Sequence, residues 1–446
     1  MAKATQDLLI RGATVIPMCG DNTPALLDVR IANRRIKEIG AGLKKRPGEK
    51  LLKAKGKVLL PGFVQAHVHT CQTLYRGQAD NMVLLDWLSK KIWPYEGALS
   101  RQTLRASAQL SFAELLLSGT TSVLDMGTVR HTDVIFEEAD TFGIRYTGGK
   151  TIMDKGRYPG NLNESADEAI KESVRLCKKW SGKDDNRLRY AFSPRFALSC
   201  TNKALKGCVR EARKHGALLH THASENVAEV AAVRKQSGKD NVEFLHSIGF
   251  SGDDVLLAHG IWLSAKERRI LKKTQTRVVH CPSANLKLAS GIADIPKLLG
   301  DGIPLALGAD GAPCNNNLNA FVEMRYAALL HKVKHGPKAI PAQKALELAT
   351  IDGAKALHLD DVGNIEVGKK ADLLLLDLNS INCWPPTDNL FSRIVFAAQT
   401  QNVDTVMVDG KILVEGGKLL KTSLKNIMRN SDEALKRVQK QMASAR

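Results

Sequence analysis

The chain is short of long hydrophobic runs. No stretch reaches the about 18 consecutive apolar residues that a membrane-spanning helix needs. The N-terminal MAKATQDLLIRG has no apolar segment leading to a small-residue cleavage site, so no secretory signal is expected. Cysteine is sparse: eight among 446 residues, with no CxxC or CxxxC pair. That spacing excludes a disulfide scaffold and a cysteine zinc cluster. It points to a reducing, cytoplasmic setting, with the thiols as small buried apolar groups. Aromatics make up only 5%, and no aromatic-rich RNA-binding signature, zinc finger or basic region joined to heptads is present. The 43% hydrophobic and 25% charged fractions are those of an ordinary globular chain, which rules out a disordered, collagenous or coiled-coil protein.

Acidic residues are outnumbered, 46 against 65 basic, giving a formal charge of +19. A basic protein can attract nucleic acid, anionic membrane or acidic substrates. Much of the excess is peripheral, since residues 411–446 carry nine basic and three acidic side chains. The expectation is a solvated lysine-rich surface, with no nucleic-acid or membrane partner.

What is present is a repeating unit. Short apolar runs end in a polar residue and lead into helix-like stretches. They are VLLPGFVQAHVHT (58–70), GTTSVLDMG (119–127), IRYTGGKT (144–151), LRYAFSPRF (188–196), GALLHTHASE (216–225), VLLAHGIWLS (255–264), TRVVHCPSAN (276–285) and IPLALGADGAP (303–313). Strands alternating with helices imply βαβ units and a parallel sheet. Eight units predict an α/β fold, a TIM-type (β/α)₈ barrel over 58–365, with its active site where strands end and the following loops begin. His67, His69, Asp125, Lys150, Arg195, His222, His259, His280 and Asp310 all fall at such ends. An open doubly wound sheet is the alternative, but no GxGxxG follows a first strand. The flanks alternate short β-like runs with turns, and Asp409-Gly410 is a hairpin signal. Residues 1–57 and 366–423 are expected to form one composite β-sandwich, since neither flank is long enough to fold alone. Residues 424–446 read as a terminal amphipathic packing helix.

His67-Val68-His69 sets two imidazoles on one face of a strand. His220-Thr221-His222-Ala223-Ser224-Glu225 adds imidazole at the fifth strand end, with a carboxylate three residues after His222. His259 ends the sixth strand and Asp310 the eighth. Three histidines and one aspartate suit a single divalent ion, zinc with an open position for water, or iron or manganese with the same N/O donors.

The stretches PGFVQAHVHTCQTLYRG (61–77), DWLSKKIWPYE (86–96), HTHASE (220–225), HCPSANLKLASG (280–291), LGADGAPCNNNLNAFVEMRYAALLHK (307–332) and IEVGKKADLLLLDL (365–378) resemble the amidohydrolase superfamily. Within it they are most similar to deaminases acting on S-adenosylhomocysteine, 5′-methylthioadenosine and 5′-deoxyadenosine. The resemblance implies His67, His69, His222 and Asp310 as metal ligands. It implies Glu225 as proton shuttle, His259 as partner of the reacting oxygen, Asp310 as assisting base and Glu96 as acceptor for ribose hydroxyls. His220 then becomes a supporting residue, and Asn285 and His280 shape the pocket wall. The family's fourth-strand histidine is replaced here by Arg195, whose planar donor fork suits a carbonyl, a ring nitrogen or a carboxylate. A PRF motif is similar to that of guanine deaminases and of some deoxyadenosine deaminases. Guanine or other aminopurine or pterin deamination, triazine hydrolysis and a non-catalytic basic scaffold are therefore the competing readings. The absence of an HxE…PCxxC signature excludes the editing-type nucleobase deaminases. A homo-oligomer in the cytoplasm, acting on a small nucleoside, is the expected form.

Overall fold

A computed structural model describes residues 6–444, so the first five residues of the 1–57 segment and the last two of the 424–446 helix lie outside it. Eight parallel strands follow one another around a barrel: β1 (Phe63–His69), β2 (Thr120–Met126), β3 (Arg145–Gly149), β4 (Leu188–Pro194), β5 (Leu218–Ala223), β6 (Val255–His259), β7 (Arg277–His280) and β8 (Leu305–Leu307). The chain closes the ring just after β8, where Asp310–Gly311 pairs in parallel with Val68 and His69 of β1. Every residue of β1, β2 and β6 is buried, as expected for strands covered by helices on one side and filled by side chains on the other.

The intervening helices carry their own start and stop signals. Ser100, Ser165, Asn226 and Ser264 each close a capping box at a helix start, satisfying backbone donors that the helix cannot. Gly143, Gly216 and Gly238 end helices in the left-handed region that glycine tolerates.

Both chain ends build a second, nine-stranded sheet. Its centre is Val58–Pro61, paired in parallel with Leu8–Val15 and antiparallel with Leu373–Leu376. The run 58–70, expected as one strand, is thus two. Val58–Pro61 belongs to the terminal sheet, and Gly62 turns the chain into β1. A Cβ at Gly62 would lie 2.1 Å from the Thr121 methyl, so only glycine permits that turn against β2. Sheet and barrel are joined by a buried charge cluster. Arg145, the first residue of β3, donates to Asp372 at 2.7 and 2.9 Å and to Asp409 at 2.5 Å. The C-terminal helix Leu424–Ser444 packs along Arg101–Leu117. Among the described residues no helix is long and apolar enough to cross a membrane.

Candidate metal centre and adjoining pocket

The strands deliver their terminal side chains to one point. One ligand atom each from His67, His69, His222 and Asp310 lies within 4.8 Å of the others. His67 and His69 come from β1, His222 from β5, and Asp310 from the segment that closes the barrel. That segment comes so close to β1 that a Cβ on Gly308 would sit 2.6 Å from the His67 carbonyl oxygen. Asp310 itself has φ of 63° and His259 has φ of 76°. Non-glycine residues rarely adopt this region, and such strain clusters at functional sites.

Each imidazole is oriented from behind. His69 Nδ1–H donates to the Met126 carbonyl at 2.8 Å, and His222 Nδ1–H donates to the Arg195 carbonyl at 2.7 Å. Their Nε2 atoms, left with lone pairs, face each other at 3.2 Å. Two lone pairs at that distance repel unless a cation sits between them. His67 shares a hydrogen bond with His220 at 3.0 Å through Nδ1, and its buried Nε2 has no hydrogen-bond partner. It points instead toward Asp310 Oδ1 at 3.3 Å. Backing of the far ring nitrogen is the usual arrangement behind metal-ligating histidines. Burial favours the neutral ring at three of them: His69 falls to about 3, and His222 and His220 fall well below the ordinary histidine value. Burial pushes the Asp310 carboxyl up, yet the His67, His259 and His69 imidazoles outweigh it and hold Asp310 well below the usual range. Neutral imidazoles and an ionised carboxylate are the donor states that a divalent ion requires, so the residues fit a metal.

Beside this cluster stand Glu225 and His259. His259 Nδ1 bonds Asn285 Oδ1 at 2.8 Å, which leaves Nε2 facing Glu225 at 3.4 Å and Asp310 at 3.9 Å. Burial lowers His259 to about 4. Burial first, then the Asp310 and Glu229 carboxylates, raises Glu225 well above the ordinary glutamate value. Glu229 accepts the Glu225 backbone N–H at 2.7 Å and so fixes the turn that carries Glu225.

A cavity adjoins the cluster. Its polar lining is His69, His222, Glu225, His259, Asp310 and Arg195, and its apolar wall is Leu84, Trp87, Leu88 and Phe196. Arg195 clamps Glu96 with two hydrogen bonds, 2.6 Å to Oε2 and 3.2 Å to Oε1, while Gln72 Nε2 donates to Oε1 at 2.8 Å. Burial opposes the Arg195 charge, but Glu96 more than offsets it and raises the guanidinium.

Some strand-end residues stand apart. Asp125 anchors the turn after β1, accepting from Thr70 and from the Tyr146 hydroxyl. Lys150 is buried in an ion pair with Glu164. His280 is buried against His331, and Asn285 acts through His259. The Asn315–Asn319 run does two things: Asn315 bonds the Ala309 carbonyl beside Asp310, and Asn319 caps the helix Ala320–Leu330. Sequence reasoning missed Gln72, three residues after His69, and the wall formed by Leu84, Trp87 and Leu88.

A model of the amidohydrolase family matches residues 58–413. The chain is 37% identical over 407 residues to a 5′-deoxyadenosine deaminase of Methanobrevibacter smithii, covering 91% of this chain and 92% of that one. It is 36% identical over 409 residues to a 5-methylthioadenosine/S-adenosylhomocysteine deaminase of Thermococcus onnurineus, covering 91% and 94%. Among solved structures, an adenosine deaminase from Xanthomonas campestris with bound zinc superposes with a TM-score of 0.92 at 30% identity, covering 98% of this chain and 99% of that one. A barrel whose strand ends converge on three imidazoles and an aspartate, matched over most of its length, belongs to the amidohydrolase family.

Proposed function

We propose that the protein is a metal-dependent hydrolytic deaminase of adenosine-type nucleosides: adenosine, 5′-deoxyadenosine, 5′-methylthioadenosine or S-adenosylhomocysteine. The inosine analogue and ammonia are its products. The observation that carries this reading is the buried set of His67, His69, His222 and Asp310, beside a carboxylate held ready for a proton, in a chain whose relatives are named nucleoside deaminases. Those four residues would hold the ion, with zinc favoured because the Xanthomonas neighbour carries it. A bound divalent ion lowers the pKa of water to about 7, supplying a nucleophile near neutral pH.

The remaining work falls to the chain's own side chains. Glu225, whose carboxyl is pushed well up, takes a proton from the attacking water and delivers it to purine N1. Protonation makes C6 electrophilic, the C6–O bond forms, and Asp310 assists as base. His259, neutral and with its Nδ1–H on Asn285, presents the Nε2 lone pair to the attacking water and orients it. The second water proton, taken from the C6 hydroxyl by Asp310, passes to the amino group; the C6–N bond then breaks, ammonia leaves and the N1 proton stays on the hypoxanthine ring. Glu96 accepts from the ribose hydroxyls. A carboxylate offers about four lone-pair sites, and Arg195 with Gln72 engages three, so acceptor capacity is left for the sugar. Arg195 fixes the orientation of Glu96 and turns its remaining donors toward the purine.

The eight unpaired thiols suit the cytoplasm, and a homo-oligomer completes the reading, to be checked by light scattering. Ultraviolet assays on metal-replete enzyme with adenosine, 5′-methylthioadenosine and guanine test the activity. Turnover of guanine without turnover of either nucleoside would replace this reading with guanine deamination.

A further inference from the structure

We infer that Glu323, which does not line the pocket, is a positioning residue. Its one buried carboxylate ties the turn that carries Asp310 to the helix that orients His259, and so fixes the spacing of the two groups that handle the attacking water. This rests on the deaminase reading and adds to it.

Glu323 stands where packing asks for an apolar side chain. Asn319 caps the helix Ala320–Leu330, and Ala320, Phe321, Met324, Ala327 and Ala328 are the apolar residues that this helix buries. Glu323 is buried with them, 1% exposed. Its partners are amides: among the described residues no Lys, Arg or His forms an ion pair with it. A charged group taken out of water without a counter-charge is strongly disfavoured. Burial accordingly raises the carboxyl to about 7, against the opposing pull of donors from Ser283 and Asn315. Packing alone does not account for an acid at this position.

The two oxygens of Glu323 reach two different loops. Oε1 accepts from Asn315 Nδ2 at 2.8 Å, and the same amide nitrogen donates to the Ala309 carbonyl at 2.7 Å. Ala309 precedes Asp310, whose φ of 63° lies in a sparsely populated region, so the turn has to be held by its surroundings. Oε2 accepts from the Ser283 backbone N–H at 3.2 Å. Ser283 is in the first turn of the helix Pro282–Lys287, where backbone N–H groups have no partner within the helix. Two residues on, Asn285 Oδ1 accepts from His259 Nδ1 at 2.8 Å. The path from Asp310 to His259 therefore runs through Ala309, Asn315, Glu323, Ser283 and Asn285. Its two ends meet again at the site, where His259 Nε2 lies 3.9 Å from Asp310 Oδ2. Glu323 closes a ring behind the reacting groups. Glutamine cannot replace it, because an amide has one acceptor oxygen and its nitrogen would face a second N–H donor.

The experiment compares Glu323→Gln, Asn315→Ala, Asn285→Ala and the double variant Asn315→Ala/Asn285→Ala with the parent, all full-length and loaded with zinc. Steady-state kinetics on adenosine and the rate of zinc release to a chromophoric chelator are measured for each. Glu323→Gln should lower kcat by about 10- to 100-fold, the usual loss when a partner behind a metal site is removed, with KM changing far less. Zinc release should quicken in Glu323→Gln and in Asn315→Ala, which both loosen the Asp310 turn. It should stay at the parent rate in Asn285→Ala, which touches His259 alone. The double variant should lose less in kcat than the product of its two single losses, because contacts that share one network are not additive. This comparison keeps Glu323 in place and carries the test even where Glu323→Gln fails to fold by circular dichroism. Losses that multiply would show two independent arms and overturn the inference. So would a Glu323→Gln protein with parental kcat and zinc release, or one in which kcat, KM and Tm all worsen together. In each of these cases the deaminase reading stands. If the parent deaminates no adenosine-type nucleoside, that reading has failed, and the zinc-release rates still decide whether Glu323 holds the Asp310 turn.

Discussion

Arg195→Met removes one half of the buried Glu96–Arg195 pair. The two side chains are 3% and 4% exposed, so the Glu96 carboxylate would be left in the interior with only the Gln72 amide at 2.8 Å. Removing one partner of a buried ion pair costs about 3–5 kcal/mol, because the other charge stays uncompensated. Thermal unfolding should register this as a clear drop in Tm. The double variant Glu96→Gln/Arg195→Met removes both charges and should regain most of the lost stability. Activity should not follow stability. Glu96→Gln, alone or in the double variant, loses a charged acceptor for the ribose hydroxyls, an interaction of about 1.5–3 kcal/mol. KM for adenosine should rise by about 10- to 100-fold, with adenine turnover little changed. Two results would refute the reasoning. A double variant as unstable as Arg195→Met would show that the uncompensated charge was not the cause. Equal damage to adenosine and adenine would remove Glu96 from the sugar.

Three further outcomes are expected. Glu225→Gln should keep its metal, measured by elemental analysis, and lose about 10²- to 10⁴-fold in kcat, the usual range for a general acid–base group; loss of the metal instead would make Glu225 part of the ion site. Gly308→Ala places a methyl 2.6 Å from the His67 backbone oxygen, so the closing strand must shift, and metal content per chain should fall even where the fold persists by circular dichroism. Glu229 is buried and raised from the usual value to about 7. A carboxyl raised in the folded state stabilises below its unfolded value, and that contribution, about 3 kcal/mol, is lost as pH rises from about 4.5 through 7. Tm measured from pH 5 to pH 8 should therefore decline less steeply in Glu229→Gln than in the parent, and parallel curves would contradict the assignment.

The centre of the site was legible in the sequence because strand geometry is local. Residues two apart share a face, so His67 and His69 point together wherever β1 lies, and the barrel order alone says that the ends of β5, β6 and the closing strand meet them. The pairing of the flanks into one sheet was also visible, since two short β-rich ends cannot bury a core separately. The division of 58–70 was not, because it turns on the missing Cβ of Gly62 against Thr121, a contact between different strands. Nor was His220 as the partner of His67, which depends on which face of β5 enters the barrel.

What the sequence determined by itself is the set of chemical groups: the donor types for a divalent ion, the Glu225 carboxylate proposed as shuttle and the strand ends that carry them, all set by spacings of two or three residues. Tertiary structure alone decided the shape of the pocket. Gln72, Glu96 and Arg195 are separated by 24 and 99 residues, and nothing in their local sequence says that they meet. Their union pairs Arg195, the one Lys or Arg among the described residues that line the cavity, with Glu96, and the run bearing Leu84, Trp87 and Leu88 forms part of the same lining. A charge has no partner until the chain folds, so which charges remain available to a substrate is a property of the fold.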